Sequence, residues 1–373
     1  MELVSSNLRL IVMDNFLDFG KKVDEHLKLK RGIYGDRFSF IVPTTLPRFA
    51  SGEGKAVIEE SIRDKDIYIL SDITNYSCTY KMHGFINHKS PDDHYQDIKR
   101  VISATNGAAD SIKVIMPFLY ESRQHKRKAR ESQDCSLMLH ELEFLGVKGI
   151  LTCDAHDPGV RNAMRNCSFD NIYLTHDILE QIIEKEDLSF KDLIVVAPDT
   201  GASDRAEYYA NILGCNIGQF TKRRDYTRVV NGKNPILAHE YIGTNVQGKT
   251  AIVVDDMISS GQSMIDVADR LKNLGADKIY LIASFSLFSD GPKSVEIFQD
   301  AYEKGTFDKL YTTNLSYVPN ETKALDWFSE VDCSMHITNI INALNNHESI
   351  SPFLNGKEKI LEKVNKAKQI KRI

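Results

Sequence analysis

The sequence lacks the features that mark several specialised protein classes. Its 373 residues include 10 prolines and 21 glycines, too few for a collagen-like chain, and 42% apolar residues, too many for a disordered one. No apolar run approaches the roughly 20 residues of a membrane span, and the first residues lack the basic region and apolar core of a signal peptide. We therefore expect a globular, cytoplasmic protein with no membrane partner.

Cysteine is scarce and carries no metal or redox pattern. None of the cysteines forms Cys-x-x-Cys, which argues against a zinc ribbon and a redox pair. We expect all of them to be reduced thiols: Cys78, Cys135, Cys153, Cys167, Cys215 and Cys333.

Excess positive charge is also missing. The 47 Lys and Arg against 52 Asp and Glu give a formal net charge of -5, so the chain as a whole does not attract nucleic acid. Any phosphate group must be bound by local basic clusters. At roughly 150 residues per domain, the length predicts about two compact domains.

Short, buried strands alternate with helical stretches along the chain. A helix is predicted for Ser263 to Leu274, ended by Gly275, and this order favours an α/β fold with largely parallel sheets. The sequence of helix, glycine and strand also occurs at residues 137–153, which fits either internal duplication or the general pattern of α/β proteins. The predicted strands are 8–12, 66–70, 114–118, 149–153, 193–197, 251–254 and 279–283.

Three other segments have a less regular pattern. Residues 71–93 show little periodicity and predict a loop or an insertion of unknown function. Residues 335–344 have helical apolar spacing. The Lys-rich residues 356–373 predict a solvated helix or a frayed tail, to which we assign no chemistry.

The strongest functional signal is the segment from Ala251 to Met264, with the sequence AIVVDDMISSGQSM. It predicts a buried strand, two acids, a turn of small residues and a helix. The helix N-terminus favours an anion such as phosphate, while Asp255 and Asp256 can accept hydrogen bonds from ribose hydroxyls. The alternative is a strand end whose acids face solvent and whose serines cap a helix. The full context favours a sugar-phosphate site.

This segment resembles the phosphoribosyl-pyrophosphate (PRPP) motif of type I phosphoribosyltransferases and ribose-phosphate pyrophosphokinases. Further stretches resemble the pyrophosphokinases specifically and occur in that family's order. The similarity covers roughly residues 8 to 354. The stretches are FASGE at 49–53, YESRQ at 120–124, CDAH at 153–156, APDTG at 197–201, DCSM at 332–335 and HESISPF at 347–353.

The resemblance implies an ATP site in the first half of the chain. Phe49 would stack on adenine, and Ser51 and Glu53 would make polar contacts, whereas outside this context Phe49 could be a core residue. Arg123 and Gln124 would bind the nucleotide, as guanidinium and ammonium groups suit a triphosphate. The basic run that they begin also fits a solvated loop or a nucleic-acid patch.

The resemblance also implies ligands for magnesium and cationic side chains that stabilise the transition state. His156 and Asp199 match the family's metal-binding positions after two strands. The alternative for His156 is a hydrogen bond to an ATP phosphate. Lys222 and Arg224, in FTKRRD, match a Lys-x-Arg element at the root of a catalytic loop. They would stabilise the transferring pyrophosphoryl group, with an exposed basic strand end as the alternative.

The resemblance further implies two type I phosphoribosyltransferase-like domains with largely parallel sheets. The expected boundaries are 1–172, 173–331, a closing segment at 332–354 that packs on the first domain, and a tail at 355–373. The expected reaction converts Mg-ATP and ribose 5-phosphate to PRPP and AMP in a homo-oligomer built from dimers, the relatives being hexamers. The ribose 5-phosphate ligands would be Asp255, Asp256, Ser259, Ser260, Gly261, Gln262 and Ser263.

Several positions depart from the family pattern. Ser51 replaces Asp or Asn, His125 replaces Asp, and the turn has Ser259 in place of an acid and Gln262 in place of glycine. Two alternatives therefore remain: a non-catalytic regulatory homologue, and a PRPP-consuming phosphoribosyltransferase. A nucleic-acid-binding protein is disfavoured by the negative net charge.

Overall fold

The computed structural model describes residues 7–35, 38–224, 236–354 and 356–370, with only the backbone described at 222–224 and 236–239. Its strands, in chain order, are β1 Leu8–Val12, β2 Thr44–Thr45, β3 Val57–Ile58, β4 Asp66–Leu70, β5 Thr79–Met82, β6 Phe85–His88, β7 Ser111–Ile115, β8 Gly149–Cys153, β9 Ser168–Ile172, β10 Leu193–Ala197, β11 Asn216–Arg224, β12 Ile236–Gly243, β13 Thr250–Ile258, β14 Lys278–Ser286, β15 Lys309–Thr313 and β16 Phe328–Val331.

The α-helices lie mainly between these strands. They are α1 Leu17–Lys30, α2 Pro91–Ala104, α3 Asp134–Phe144, α4 Thr175–Lys185, α5 Ser203–Leu213, α6 Gln262–Asn273, α7 Pro292–Glu303, α8 Asn320–Lys323, α9 Ser334–Asn345, α10 Ser351–Leu354 and α11 Lys357–Ile370. In the part of the chain described, no helix is both long and apolar enough to cross a bilayer.

The chain forms two compact units. Unit 1 comprises residues 1–174, 314–317 and 332–355, and unit 2 comprises residues 175–313, 318–331 and 356–373. Unit 1 contains a parallel sheet in the order β1-β4-β7-β8-β9. Its strands β4 and β8 are buried at every position, as expected for a sheet covered on both faces.

Unit 1 is completed by a late segment of the chain. Helix α9 packs against α1, and Lys22 Nζ lies 2.7 Å from Asp332 Oδ2. Arg31, directly after α1, donates hydrogen bonds to Asn342 and Asn345 of α9. Residues more than 300 positions apart are thus joined within one unit.

Unit 2 contains a larger sheet in the order β12-β11-β10-β13-β14-β15-β16. All neighbouring strands are parallel except β11 and β12. The fully buried Trp327 stacks on Phe298, with ring centroids 5.3 Å apart, inside an apolar cluster against the sheet. The predicted α/β class with largely parallel sheets is confirmed.

Three predicted segments differ from the structure. The strand expected at 114–118 is β7 at Ser111–Ile115; Pro117, which has no N–H to donate to the ladder, lies just beyond its end. Residues 71–93, predicted as a loop or an insertion, contain regular structure: the antiparallel hairpin β5–β6 and the start of α2. The segment predicted as a solvated helix or a frayed tail is a helix, α11, but it is not fully solvated: it packs on α4 and α5, and its Ile360 and Val364 are buried.

All six cysteines are free thiols, as predicted. Burial raises the pKa of Cys78 to about 11 and that of Cys135 to about 12, with smaller contributions from nearby carboxylates. Such thiols are protonated near neutral pH and are therefore weak nucleophiles.

Candidate active site

Three carboxyl groups of unit 2 are near neighbours. Strands β10 and β13 are adjacent and parallel, so the residues at their carboxyl ends lie at the same edge of the sheet. Asp199 follows β10 and accepts a hydrogen bond from the Gly201 N–H at 2.8 Å, while Asp255 and Asp256 lie in the second half of β13. The structure therefore brings together three of the predicted ligands.

The electrostatics of this cluster are unusual. Burial, together with the smaller effects of the negative charges of Asp256 and Asp199, raises the pKa of Asp255 to about 8. Burial and neighbouring negative charges both disfavour the ionised form of a carboxyl group. Magnesium prefers carboxylate oxygens together with waters and substrate phosphates, so this donor set fits the ion.

A tight turn follows the acids and begins helix α6. Gly261 precedes the helix with a φ of +93°, and a Cβ atom there would come within 2.4 Å of the Phe298 ring. Only glycine fits this position without movement of the ring. The Ser259 and Ser289 hydroxyls are 3.0 Å apart, which joins the turn to the segment after β14.

Gln262 does not fill the turn, although it is larger than the glycine it replaces in the family pattern. Its Nε2 donates to Asp266 Oδ1 at 2.7 Å, so the side chain runs along the first turn of α6. The N-terminal end of this 12-residue helix carries partial positive charge, which suits an anion.

The loop that carries Phe49 belongs to unit 1. The Phe49 N–H donates to the Glu53 carbonyl at 2.7 Å, and the Gly52 N–H donates to the Phe49 carbonyl at 2.9 Å. Ser51 Oγ donates to Glu53 Oε2 at 2.8 Å. The Phe49 side chain is 55% exposed, so the alternative that it is a core residue is wrong.

The basic segment after β7 lies beside His156. Gln124 Nε2 donates to the Ser132 carbonyl at 2.7 Å. The rings of His125 and His156 have centroids 5.5 Å apart, and His125 Nε2 lies 3.3 Å from Asp157 Oδ2. Arg123 is exposed one residue before Gln124. His156 thus lies beside His125, the residue that directly follows the predicted ligands Arg123 and Gln124.

A cavity of about 460 Å³ adjoins this segment. His125 and Asp157 line it together with Lys126, Gln133 and His140. Its walls carry imidazole, ammonium and amide groups that can donate hydrogen bonds to phosphate oxygens.

Lys222 and Arg224 lie at the end of β11. Their backbones pair with those of His239 and Ile236 in β12, with an irregular register between Arg223 and Arg224. The side chains of Lys222 and Arg224 are outside the described part of the structure, as is the whole of residues 225–235.

Comparison with known proteins gives consistent matches over most of the chain. Residues 8–146 match the N-terminal domain of ribose phosphate pyrophosphokinase, and residues 171–310 match the phosphoribosyl transferase domain. Ribose-phosphate pyrophosphokinase 1 of Streptococcus pneumoniae is 26% identical over 362 residues, which cover 95% of this chain and 99% of that protein. The chain belongs to the ribose-phosphate pyrophosphokinase family.

Two further relatives agree with this assignment. A ribose-phosphate pyrophosphokinase of Bacillus cereus is 27% identical over 358 residues, covering 94% of this chain and 98% of that protein. The crystal structure of phosphoribosylpyrophosphate synthetase from Mycobacterium smegmatis aligns with a TM-score of 0.74 at 20% identity. That alignment covers 91% of this chain and 99% of the other, and it supports the fold.

Sequence reasoning missed two features of this pyrophosphokinase-family chain. Asp157, the partner of His125, had no signal beyond its position after His156. The hairpin β5–β6 contacts the Phe49 loop, since the His83 N–H donates to the Ala50 carbonyl at 2.9 Å. The dipeptide His83-Gly84 between alternating residues was a signal for its two-residue turn.

Proposed function

We propose that the protein is a ribose-phosphate pyrophosphokinase that makes PRPP and AMP from Mg-ATP and ribose 5-phosphate. The observation that carries this proposal is the neighbouring arrangement of Asp199, Asp255 and the Gly261 turn at one end of the unit 2 sheet. Such an arrangement offers hydrogen-bond acceptors to ribose hydroxyls and a helix N-terminus to the 5-phosphate.

In the proposed reaction, the 1-hydroxyl oxygen of ribose 5-phosphate attacks the β-phosphorus of ATP. The bond from that phosphorus to the oxygen shared with the α-phosphorus breaks, and AMP leaves. Lys222 and Arg224 would stabilise negative charge on the transferring group, because phosphoryl-type transfer depends mainly on positioning and charge neutralisation. We assign no general base.

The nucleotide would bind to unit 1. Phe49 presents an exposed ring to adenine, next to the Ser51 and Glu53 side chains. Arg123, Gln124 and His156 would bind the phosphates, and His156 and Asp199 would hold Mg²⁺, which would neutralise phosphate charge. The proposal also includes a cytoplasmic homo-oligomer built from dimers.

The decisive assay incubates the full-length protein with Mg²⁺, ATP and ribose 5-phosphate. We expect AMP and PRPP in equal amounts, and neither product without ribose 5-phosphate. Formation of ADP would instead indicate transfer of a single phosphoryl group. Binding of both substrates without turnover would establish the non-catalytic homologue.

Variants test the roles of the two cations. Lys222→Ala and Arg224→Ala should each lower kcat by about 100- to 1000-fold, with little change in the affinity for ATP. Arg223→Ala, between them in β11, is the matched control and should retain activity. Equal losses of kcat and ATP affinity in either variant would refute the assigned role.

A further inference from the structure

The hairpin β5–β6 is a well-defined element with no assigned role. Its strands are joined by His83 and Gly84, whose φ angles are +49° and +84°. Two consecutive positive φ angles are the geometry of the two-residue turn that matches the twist of a hairpin. Its C-terminal end is anchored by Lys89, whose Nζ lies 2.5 Å from Asp14 Oδ2 and 3.0 Å from Asp97 Oδ2.

One face of the hairpin packs on the loop that carries Phe49. Besides the hydrogen bond from the His83 N–H to Ala50, the Met82 side chain covers Gly52 so closely that a Cβ atom there would lie 2.6 Å from Met82 Sδ. The Arg48 guanidinium, just before the loop, lies 4.9 Å from the centre of the Tyr80 ring.

Arg48 also ties this arrangement to helix α2. Its Nη2 lies 2.9 Å from Asp97 Oδ2, and both side chains are almost fully buried. Its Nη1 donates to the Gly52 carbonyl at 3.4 Å. The loop is therefore held between the hairpin and α2, and Phe49 projects from a fixed support.

The same face of the hairpin presents a second exposed aromatic ring. Phe85 is directly opposite Met82 in the antiparallel register, and residues directly opposite one another lie on one face of the sheet with Cβ atoms about 5 Å apart. The Phe85 side chain is 74% exposed, although its cross-strand neighbour covers Gly52.

We propose that the hairpin completes the base-binding part of the nucleotide site, with Phe85 providing a second aromatic surface for the adenine of ATP. The occupant is a base because Phe49 and Phe85 are both exposed rings, carried by a loop and a hairpin that contact each other through Ala50, Gly52, Met82 and His83. Every base offers a flat face for stacking. Met82 and His83 are positioning residues for the loop. This inference rests on the proposed function.

The test compares Phe85→Ala with Ile86→Ala in the full-length protein. Ile86 is the matched control because it is 69% exposed, adjacent in sequence and on the opposite face of the hairpin. Mg-ATP is titrated into each variant by calorimetry. Phe85→Ala should raise the Kd and the KM for ATP by roughly 5- to 100-fold, the usual effect of losing one stacked aromatic.

Other parameters separate stacking from a structural role. In Phe85→Ala, the KM for ribose 5-phosphate, kcat at saturating ATP and the Tm should stay at wild-type values, and Phe85→Tyr should restore ATP affinity. Ile86→Ala should match the wild type throughout. Equal ATP affinity in both alanine variants, or a lower Tm for Phe85→Ala that explains its effect, would overturn the inference.

The wild-type protein distinguishes failure of this inference from failure of the proposed function. A wild type that binds ATP but forms no PRPP refutes the proposed reaction, while the calorimetric comparison still decides the role of Phe85. A wild type that makes PRPP, with Phe85→Ala unchanged in ATP affinity, refutes only the role of Phe85. A wild type that binds no ATP overturns both.

Discussion

The chemistry of Asp255 is clearly altered by its surroundings. Burial, Asp256 and Asp199 together raise its pKa, so the free protein keeps a proton that an exposed aspartate would lose. In an unfolded chain this carboxyl ionises near pH 4. The folded state therefore binds more protons than the unfolded state between about pH 4 and pH 8, and its stability falls as pH rises through that range.

Asp255→Asn should remove this dependence. In the absence of Mg²⁺, the free energy of unfolding of the variant minus that of the wild type should increase from pH 5 to pH 8, by at most about 1.4 kcal/mol per pH unit. Urea denaturation at several pH values measures the difference. Asp300→Asn, which replaces an exposed carboxylate on α7, is the control. A flat profile for both variants would contradict the raised pKa.

The location of a site residue could be predicted from the sequence where the course of the backbone alone determines it. Asp199 and Asp255 could be assigned to one sheet edge because parallel neighbouring strands put their carboxyl ends together. The side-chain direction of Gln262 could not be predicted, because it depends on a hydrogen bond to Asp266 that competes with other rotamers. The contact of Gly261 with Phe298 could not be predicted either, because the two residues are 37 positions apart in the sequence.

Among the elements, short strands that are buried at all or nearly all positions were the most predictable. Strands β1, β4, β8 and β10 have the predicted bounds because short apolar runs ended by turn residues leave few alternatives. The hairpin β5–β6 was missed because its faces differ little in polarity: Phe85 and Ile86 point to opposite faces and are both exposed. The hairpin is stabilised by tertiary contacts with the Phe49 loop.

The packing of helix α11 was also missed, because it too depends on tertiary contacts. Its Lys-rich composition predicts solvent exposure, yet Ile360 and Val364 are each 1% exposed and pack within unit 2. Lys363 pairs with Glu180 of α4, and Lys368 Nζ donates to the Leu213 carbonyl at 2.6 Å. Two apolar residues one turn apart are enough to attach the helix.

Ile360→Ala should therefore destabilise the protein. Loss of a buried isoleucine side chain typically costs about 2 to 5 kcal/mol. Urea denaturation followed by circular dichroism measures the loss, and Lys359→Ala, an exposed neighbour on the same helix, should change stability by no more than about 0.5 kcal/mol. Equal stability of the two variants would show that α11 is a solvated helix.

At the scale of the whole molecule, unit 1 depends on residues that follow most of unit 2 in the sequence. Helix α9 contributes Ile337, Ile340 and Ile341, all with 0% exposure, and Asn345 Nδ2 donates to Asp66 Oδ2 on β4 at 2.9 Å. Each such isoleucine is worth about 2 to 5 kcal/mol, and a domain has only about 5 to 15 kcal/mol of net stability.

A chain that ends at Val331 should consequently fail to form a stable unit 1. Hydrogen exchange should show loss of protection for the amides of β1 and β4 in this truncation. A chain that ends at Asn355 keeps α9 and α10 and serves as the control, with protection of those amides retained. Equal protection in the two truncations would mean that unit 1 is stable without its late segment.

The late position of α9 has a consequence during synthesis. A ribosome releases the chain from its N-terminus, so α1 emerges long before α9, the helix that packs on it, has been translated. The surface of α1 that α9 later buries stays uncovered during this interval, when it is open to chaperones and to other nascent chains. Translation of residues 334–345 thus decides when the exposed face of α1 reaches its native environment.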